Sequence, residues 1–295
     1  GKSISFVLRN MSMSLIFPYL QFIRYYFKSG NAHGLHSPFV YDLYTNAIRI
    51  HRSKGLIRLN SSIVNDQDLT KGHGSSDIMW GEILRAQLRS SKRRVEVEDL
   101  GGGSIHTPGL TRQISKIAKW SGRRPRAGKL LFRLTHYFKP EWILELGTSL
   151  GIGTLYLHQA CPNIPLTTVE GSTAIAEIAR NNLKEFERIS VINSSFDRFF
   201  DEWQSPQGVG LIMIDGDHQY GSVKRYFNFL ANGAHNDTVL IFDDIHWSNG
   251  MEEAWKEICE DNRVRVTIDL FTFGIVFFKK ELSRQHFVLW NKDCF

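Results

Sequence analysis

Short apolar runs alternate with helical patterns over the second half of the chain. The runs are "WILEL", "LTTVE", "ISVIN", "VGLIMID" and "TVLIFDD", and the helical patterns cover 152–160, 172–186, 220–231 and 250–260. Short apolar runs predict buried strands, and their alternation with helices predicts a parallel sheet covered on both faces. The last segment, "RVTIDLFTFGIVFFKKELSRQHFVLW", has no helix between its runs and predicts an antiparallel hairpin that includes an edge strand. The expected fold class is therefore α/β, with a doubly wound, mostly parallel sheet and an antiparallel C-terminal hairpin.

An aromatic-rich helical pattern covers residues 15–50. Its apolar positions recur at helical spacing, through Phe17, Leu20, Phe22, Ile23, Tyr26 and Phe27. This spacing favours a helical hairpin that packs on the core, with a membrane-surface helix or a lid over a site as alternatives. The polar segment 51–75 predicts a loop, and 76–95 predicts a helix that ends in the basic run "RSSKRR". We therefore expect an N-terminal helical extension, which caps the cleft, over residues 1–125 and an α/β domain over 126–295.

Composition narrows the class of protein without naming a function. Hydrophobic residues make up 42% and charged residues 22%, which excludes a fibrous or disordered chain. The net charge of +6 permits an anionic partner but does not require one. Cys161, Cys259 and Cys294 lack metal-type spacing and fit a reducing compartment, so a cytoplasmic location is expected. No uncharged apolar stretch reaches about 18 residues, so no transmembrane helix is predicted.

The segment "ILELGTSLGIGTLYL" (143–157) has the pattern of a strand, a glycine turn and a helix start. Gly147 and Gly151 allow a tight turn and close approach of a ligand, and the helix N-terminus offers free amides to negative charge. The spacing is not that of the dinucleotide fingerprint. Glu170 ends the next predicted strand, where an acid can accept hydrogen bonds from both ribose hydroxyls of a nucleoside. A second glycine cluster, "VEVEDLGGGS" (95–104), lacks such an acid-ended strand and predicts only a turn.

The motif "ELGTSLGIGT" followed by "TTVEG" resembles the first two motifs of class I S-adenosylmethionine-dependent methyltransferases. The likeness covers roughly residues 126–280 and implies methyl transfer with S-adenosylmethionine as the cofactor. Ser194 stands where the family often has an acid, so the resemblance assigns the adenine contact to the two residues that follow it. The cofactor-binding residues expected from this resemblance are Glu145, Gly147, Thr148, Ser149, Gly151, Glu170, Gly171, Ser195, Phe196 and Asp215.

Two predicted strands end in acids and a histidine, in "LIMIDGDHQY" (211–220) and "VLIFDDIHW" (239–247). Strand ends in such a sheet face the ligand, so Asp215, Asp243 and Asp244 are expected to converge. Close carboxylates repel one another unless a cation or protons lie between them, and oxygen ligands suit Mg²⁺, Ca²⁺ or Mn²⁺. These segments resemble the cation-dependent O-methyltransferase branch of the family. The three aspartates are therefore the expected ligands of Mg²⁺ or another divalent cation, although Asp244 replaces the usual Asn.

His218 stands where that branch has a lysine, and three roles are open to it. It is a general base for a bound hydroxyl, a ligand or orienting group for the metal, or a structural residue. The favoured function is methyl transfer from S-adenosylmethionine to a small-molecule hydroxyl assisted by a divalent cation, with His218 and Asp215 as catalytic residues. The alternatives are an RNA methyltransferase and a cofactor-binding protein without methyl transfer. Nucleic acid is allowed but not favoured, because no Asn-Pro-Pro-aromatic run occurs, and a homodimer is left open.

Overall fold

The computed structural model describes residues 13–49, 79–97, 111–120, 124–206, 208 and 210–292. An eight-stranded sheet forms its centre, in the spatial order β10-β8-β9-β7-β6-β3-β4-β5. The strands are β3 (Trp142–Leu146), β4 (Leu166–Glu170), β5 (Ile189–Asn193), β6 (Gly210–Ile214), β7 (Val239–Asp243), β8 (Val266–Asp269), β9 (Phe273–Phe277) and β10 (Gln285–Val288). Only β9 runs antiparallel to its neighbours. The strand order reverses direction between β3 and β6, which places a ligand cleft at their carboxyl ends.

Helices cover both faces of the sheet, as the strand–helix alternation predicts. The helices are α1 (Met13–Lys28), α2 (Pro38–Leu43), α3 (Trp80–Arg89), α4 (Ile114–Trp120), α5 (Pro125–Phe138), α6 (Ile152–Ala160), α7 (Thr173–Leu183), α8 (Phe196–Glu202), α9 (Tyr220–Asn232) and α10 (Asn249–Glu260). One apolar core lies between the sheet and α8, α9 and α10. A second core lies on the opposite face, beneath α2 and α5. Each β3 and β6 residue is buried, as expected for central parallel strands.

The segment from α2 to a following π-helical turn (Tyr44–Ile48) packs into the sheet core. Val40, Leu43 and Ile48 are fully buried there, together with Leu130 and Leu134 of α5. This burial agrees with the core-packing helical hairpin that the sequence favours. The segment lies against a face of the sheet beside α5.

The N-terminal part of the chain also contains strands. A two-stranded antiparallel ribbon joins β1 (Arg94–Glu96) to β2 (Thr111–Gln113), and Val95 packs with apolar residues of α7. The extension is therefore not entirely helical. The predicted helix over 76–95 ends at Arg89, and the basic run leads into β1. The polar segment predicted as a loop over 51–75 lies outside the described residues.

The C-terminal strands confirm the predicted antiparallel pair and correct its position. Strand β9 pairs antiparallel with both β7 and β8, so it lies inside the sheet and not at its edge. The edge strand is β10, which pairs parallel with β8. Every residue of β9 is buried, on both faces of the sheet. The sequence pattern predicted a strand at the sheet edge, but the position of a strand depends on the neighbours that it packs against. No helix in the described part of the chain is both long enough and apolar enough to cross a bilayer.

Candidate active site

The glycine turn follows β3 and leads into α6 at Gly151. Gly147 has a φ of +104°, and a Cβ atom at this position would lie 1.9 Å from the carbonyl oxygen of Asp215. Only glycine fits both the left-handed conformation and the close approach of the neighbouring strand. Ser149 also has a positive φ, and the backbone amides of Gly147 and Thr148 donate to the carbonyl of Val169. The turn is thereby fixed to the end of β4.

Glu145 braces this turn from inside the protein. It is 1% exposed, and its Oε2 atom accepts hydrogen bonds from the hydroxyls of Thr154 at 2.5 Å and Thr168 at 2.8 Å. The hydroxyl of Thr168 is also 2.6 Å from that of Thr148. Buried polar groups that satisfy one another in this way stiffen the segment that carries them. Glu145 and Thr148, which are both expected to bind the cofactor, therefore belong to a hydrogen-bond network that orders the turn.

Glu170 ends β4 beside the turn. Its Oε2 atom accepts from the amide of Ser149 at 2.9 Å, and its Oε1 atom accepts from the amide of Ser172 at 3.0 Å. Burial raises the pKa of the Glu170 carboxyl, the backbone donors oppose that rise, and the charge of Asp215 adds to it. Each carboxylate oxygen keeps lone-pair capacity for a further donor, such as a ribose hydroxyl. Gly171 follows directly, and its carbonyl accepts from the side chain of Asn193.

Phe196 supplies an aromatic wall next to the following strand end. A Cβ atom on Gly216 would lie 2.9 Å from the Phe196 ring, so the ring rests against the backbone just beyond β6. The ring also contacts Tyr226 edge-on, with 5.5 Å between centroids. Ser195 caps α8, since its hydroxyl accepts from the amide of Arg198. Ser195 and Phe196 therefore lie on the same side of the cleft as Gly216.

The donor set around this cleft fits an S-adenosyl cofactor. Glu170 offers a carboxylate suited to ribose hydroxyls, and Phe196 offers an apolar face suited to a base. The glycine turn brings backbone close to the same space without side chains. We propose that Glu170, Phe196 and the glycine turn bind the S-adenosyl cofactor, because their chemistry suits this cofactor, which the sequence predicts.

Asp215 and His218 form the polar edge of the cleft beyond β6. The Nε2 atom of His218 lies 3.8 Å from Oδ1 of Asp215, and both side chains are about one-quarter exposed. At this distance the two groups interact electrostatically, but they are too far apart to form a hydrogen bond. Asp217 lies between them in sequence, with a φ of +48°, and accepts a hydrogen bond from the hydroxyl of Tyr226. The loop therefore presents a partly exposed imidazole next to a carboxylate.

Asp243 and Asp244 lie at the end of β7, adjacent to β6. The register pairs Ile214 with Phe242, so Asp215 and Asp243 are the next positions on neighbouring parallel strands. Asp244 has a φ of +52°, and its amide donates to the carbonyl of Thr272. The chain thus turns at Asp244 and does not continue along the strand.

The described residues show no ligand cluster at the expected three-aspartate cation site. No three His, Cys, Asp or Glu side chains come together to hold a metal ion anywhere in the described ranges. The divalent cation therefore stays a prediction from the sequence, and no chemical step is assigned to it.

The structure also contains a buried cluster of charged side chains around His246, which the sequence did not predict. The Nε2 atom of His246 is 2.8 Å from Oδ2 of Asp269, and its Nδ1 atom is 3.8 Å from Oε2 of Glu252. Burial alone would lower the pKa of His246, but the hydrogen bond to Asp269 and the Glu252 carboxylate outweigh it and raise the pKa to about 9. His246 also stacks on Phe271. Twenty-three residues separate His246 from Asp269, so no local pattern indicated the pair.

Comparison with known proteins agrees with this architecture. A family model described as a methyltransferase domain matches residues 144–245, which contain the glycine turn, Glu170 and the Asp215–His218 loop. An SAH-bound methyltransferase from Podospora anserina superposes with a TM-score of 0.51 at 11% identity, over 75% of this chain and all of that one. An O-methyltransferase from Bacillus cereus, in complex with SAH, gives a TM-score of 0.47 at 20% identity over 72% of this chain and 94% of that chain. A putative O-methyltransferase from Klebsiella pneumoniae gives 0.49 at 16% identity over 72% and 95%.

The Podospora structure supports the fold, and the family model supports the activity class. Residues 144–245 therefore match a methyltransferase-domain model, and the chain shares the fold of an SAH-bound methyltransferase.

Proposed function

We propose that the protein methylates a hydroxyl oxygen of a small molecule, with His218 as the general base. The observation that carries this proposal is the position of His218 beside Asp215, at the cleft edge next to the glycine turn. Imidazole is well suited to accept a proton near neutral pH. The sequence resemblance to O-methyltransferases supports oxygen as the acceptor atom.

The residues of the cleft divide the work between them. Glu170 and the glycine turn hold the cofactor, which when bound supplies a methyl group on a positively charged sulfur. Asp215 lies beside the His218 ring, and the imidazole takes the hydroxyl proton. The bound cofactor would supply its methyl group to the oxygen that His218 has deprotonated. Alignment of the two reactants supplies most of the acceleration in such a transfer.

A direct test is turnover on a panel of catechols and other phenols, with His218→Ala as the variant. Product is measured by mass spectrometry, and cofactor affinity is measured by calorimetry. Loss of a general base is expected to lower kcat by about 10²- to 10⁴-fold while cofactor affinity stays unchanged. His36→Ala, an exposed histidine outside the cleft, is the matched control. A His218→Ala enzyme with undiminished kcat across the pH range would reject the assigned role.

Cation assistance is a separable part of the proposal. It is supported by the adjacent strand-end positions of Asp215 and Asp243, but not by a ligand cluster. A cation bound to the folded state should raise the Tm by mass action, and a chelator should reverse the rise. Asp243→Ala should remove this response without loss of cofactor affinity. A wild-type melting curve that ignores Mg²⁺, Mn²⁺ and Ca²⁺ in the presence of cofactor would reject the cation and leave His218 as the base.

A further inference from the structure

Helix α1 is anchored to the body of the protein by one face. Tyr25 is buried, its hydroxyl donates to the carbonyl of Leu289, and its ring lies 5.3 Å from that of Phe271. Phe22 contacts Phe271 edge-on at 5.4 Å. Beyond the helix, the Gly30 amide donates to Val288, and Gly30 accepts from Trp290. These contacts fix both the position and the rotation of α1.

The opposite face of α1 is apolar as well. Its five large apolar side chains are between 51% and 81% exposed, and they are Tyr19, Leu20, Ile23, Tyr26 and Phe27. At 3.6 residues per turn, these positions span an arc of roughly 120°. We call them the outer face of α1. An exposed apolar patch on one rigid helix indicates an interaction site.

Charge identifies the partner of the outer face. Arg24 and Lys28 lie on one side of the arc, roughly 40° and 80° beyond its edge and before the anchored face, and both are exposed. Neither forms an ion pair with any residue that the structure describes. The sequence contains no Asp or Glu before Asp42. An apolar aromatic arc with basic groups along one side and no acids matches an interfacial helix on an anionic lipid surface.

We propose that the outer face of α1 binds the surface of a membrane that contains anionic lipids. Tyr19 and Tyr26 suit the headgroup level, because their rings are apolar and their hydroxyls are polar. Ile23 and Phe27 enter the acyl boundary, while Arg24 and Lys28 contact lipid phosphates. The helix lies in the plane of the surface, since its other face is held by the protein. This surface is independent of the proposed methyl transfer.

Co-sedimentation of the full chain with vesicles tests the proposal. Vesicles of phosphatidylcholine with phosphatidylglycerol should bind the protein, and vesicles of phosphatidylcholine alone should bind it far more weakly. The double variant Ile23→Ser/Phe27→Ser should lose about tenfold or more in affinity, because it removes apolar area from the contact. Tyr41→Ser changes a similarly exposed aromatic residue on α2 and should bind as wild type does.

The contribution of the basic side chains to vesicle binding is tested with a second set of variants. Arg24→Gln and Lys28→Gln should each weaken binding by about fivefold at low salt, and the effect should shrink as salt rises. Lys184→Gln/Arg188→Gln removes two exposed charges elsewhere and should leave binding unchanged. The variants lie on the surface, and matching circular dichroism and Tm values will confirm that they fold.

Three results would overturn the proposal. The first is a monomeric wild-type protein that binds neither kind of vesicle. The second is equal binding to neutral and anionic vesicles, which would remove the role of charge. The third is a dimer, seen by analytical ultracentrifugation, that Ile23→Ser/Phe27→Ser dissociates while vesicles are not bound. That outcome would assign the outer face to a second copy of the chain.

Discussion

At the scale of single residues, Glu170 is the proposed ribose-binding group, and both of its carboxylate oxygens lie at the edge of the cleft. Glu170→Ala should weaken cofactor binding by about 1.5–3 kcal/mol, the usual loss for a charge-assisted hydrogen bond. Calorimetry with S-adenosylhomocysteine measures the change. Glu177→Ala, an exposed acid on α7, is the control. Unchanged affinity in Glu170→Ala would refute the ribose assignment.

Gly147 is a second position where a single residue decides the shape of the site. A Cβ atom there would meet the backbone oxygen of Asp215, which cannot move as a flexible side chain can. Gly147→Ala should therefore lower the free energy of unfolding by more than about 2 kcal/mol and should also impair cofactor binding. Urea unfolding measures the loss. Gly221→Ala would place its Cβ atom 3.9 Å from the flexible side chain of Arg225, an ordinary contact, and should change stability by less than about 1 kcal/mol.

At the scale of elements, His246 ties the loop after β7 to β8 and α10. It bonds to Asp269 at the end of β8, lies near Glu252 in the first turn of α10, and stacks on Phe271. The His246 imidazolium, together with Lys256, holds the pKa of Glu252 at about 2. The loop that carries Asp243 and Asp244 is thus positioned by a buried ion cluster.

This cluster predicts a pH dependence of stability. The folded-state pKa of His246, about 9, exceeds its ordinary value of 6.5, so its stabilisation is complete below about pH 6.5 and is lost as pH rises through 9. The pKa of Glu252 is lowered, so its contribution is present above about pH 4.5 and is lost as pH falls towards 2. The two shifts share the His246–Glu252 contact, and together they place the maximum of stability at about pH 4.5–6.5.

His246→Gln tests that dependence. The variant should be less stable than wild type by roughly 1–3 kcal/mol at pH 6, and the difference should shrink by pH 9.5. Urea unfolding at both pH values gives the comparison, with His235→Gln as the control. A difference of equal size at pH 6 and pH 9.5 would show that His246 acts by packing alone.

At the scale of the whole molecule, the N-terminal segment completes the core. Val40, Leu43, Tyr44 and Ile48 are buried against α5 and the sheet. Deletion of residues 1–50 should expose this apolar surface and cause aggregation. Dye binding and size-exclusion chromatography measure the effect. A soluble truncated protein with full cofactor affinity would show instead that the segment is an independent appendage.

The sequence by itself determined the parallel part of the sheet. Apolar runs alternate with amphipathic helices, and this local pattern reports burial directly, so β3 to β7 and the helices α6, α7, α9 and α10 were predictable. The spacing between Gly147 and Glu170 was predictive for the same reason, since a strand, a turn and a helix have fixed lengths. The acids at the ends of β6 and β7 were placed correctly on adjacent strands.

Only the tertiary structure decided which distant groups meet. Periodicity shows that a residue is apolar but not which surface covers it, so it did not place β9 inside the sheet or α2 on the sheet face. Nor did it show that α1 has one anchored and one exposed apolar face. The bond between His246 and Asp269 and the turn at Asp244 depend on how two loops pack. Contacts between segments far apart in sequence leave no local period, so packing alone determines them.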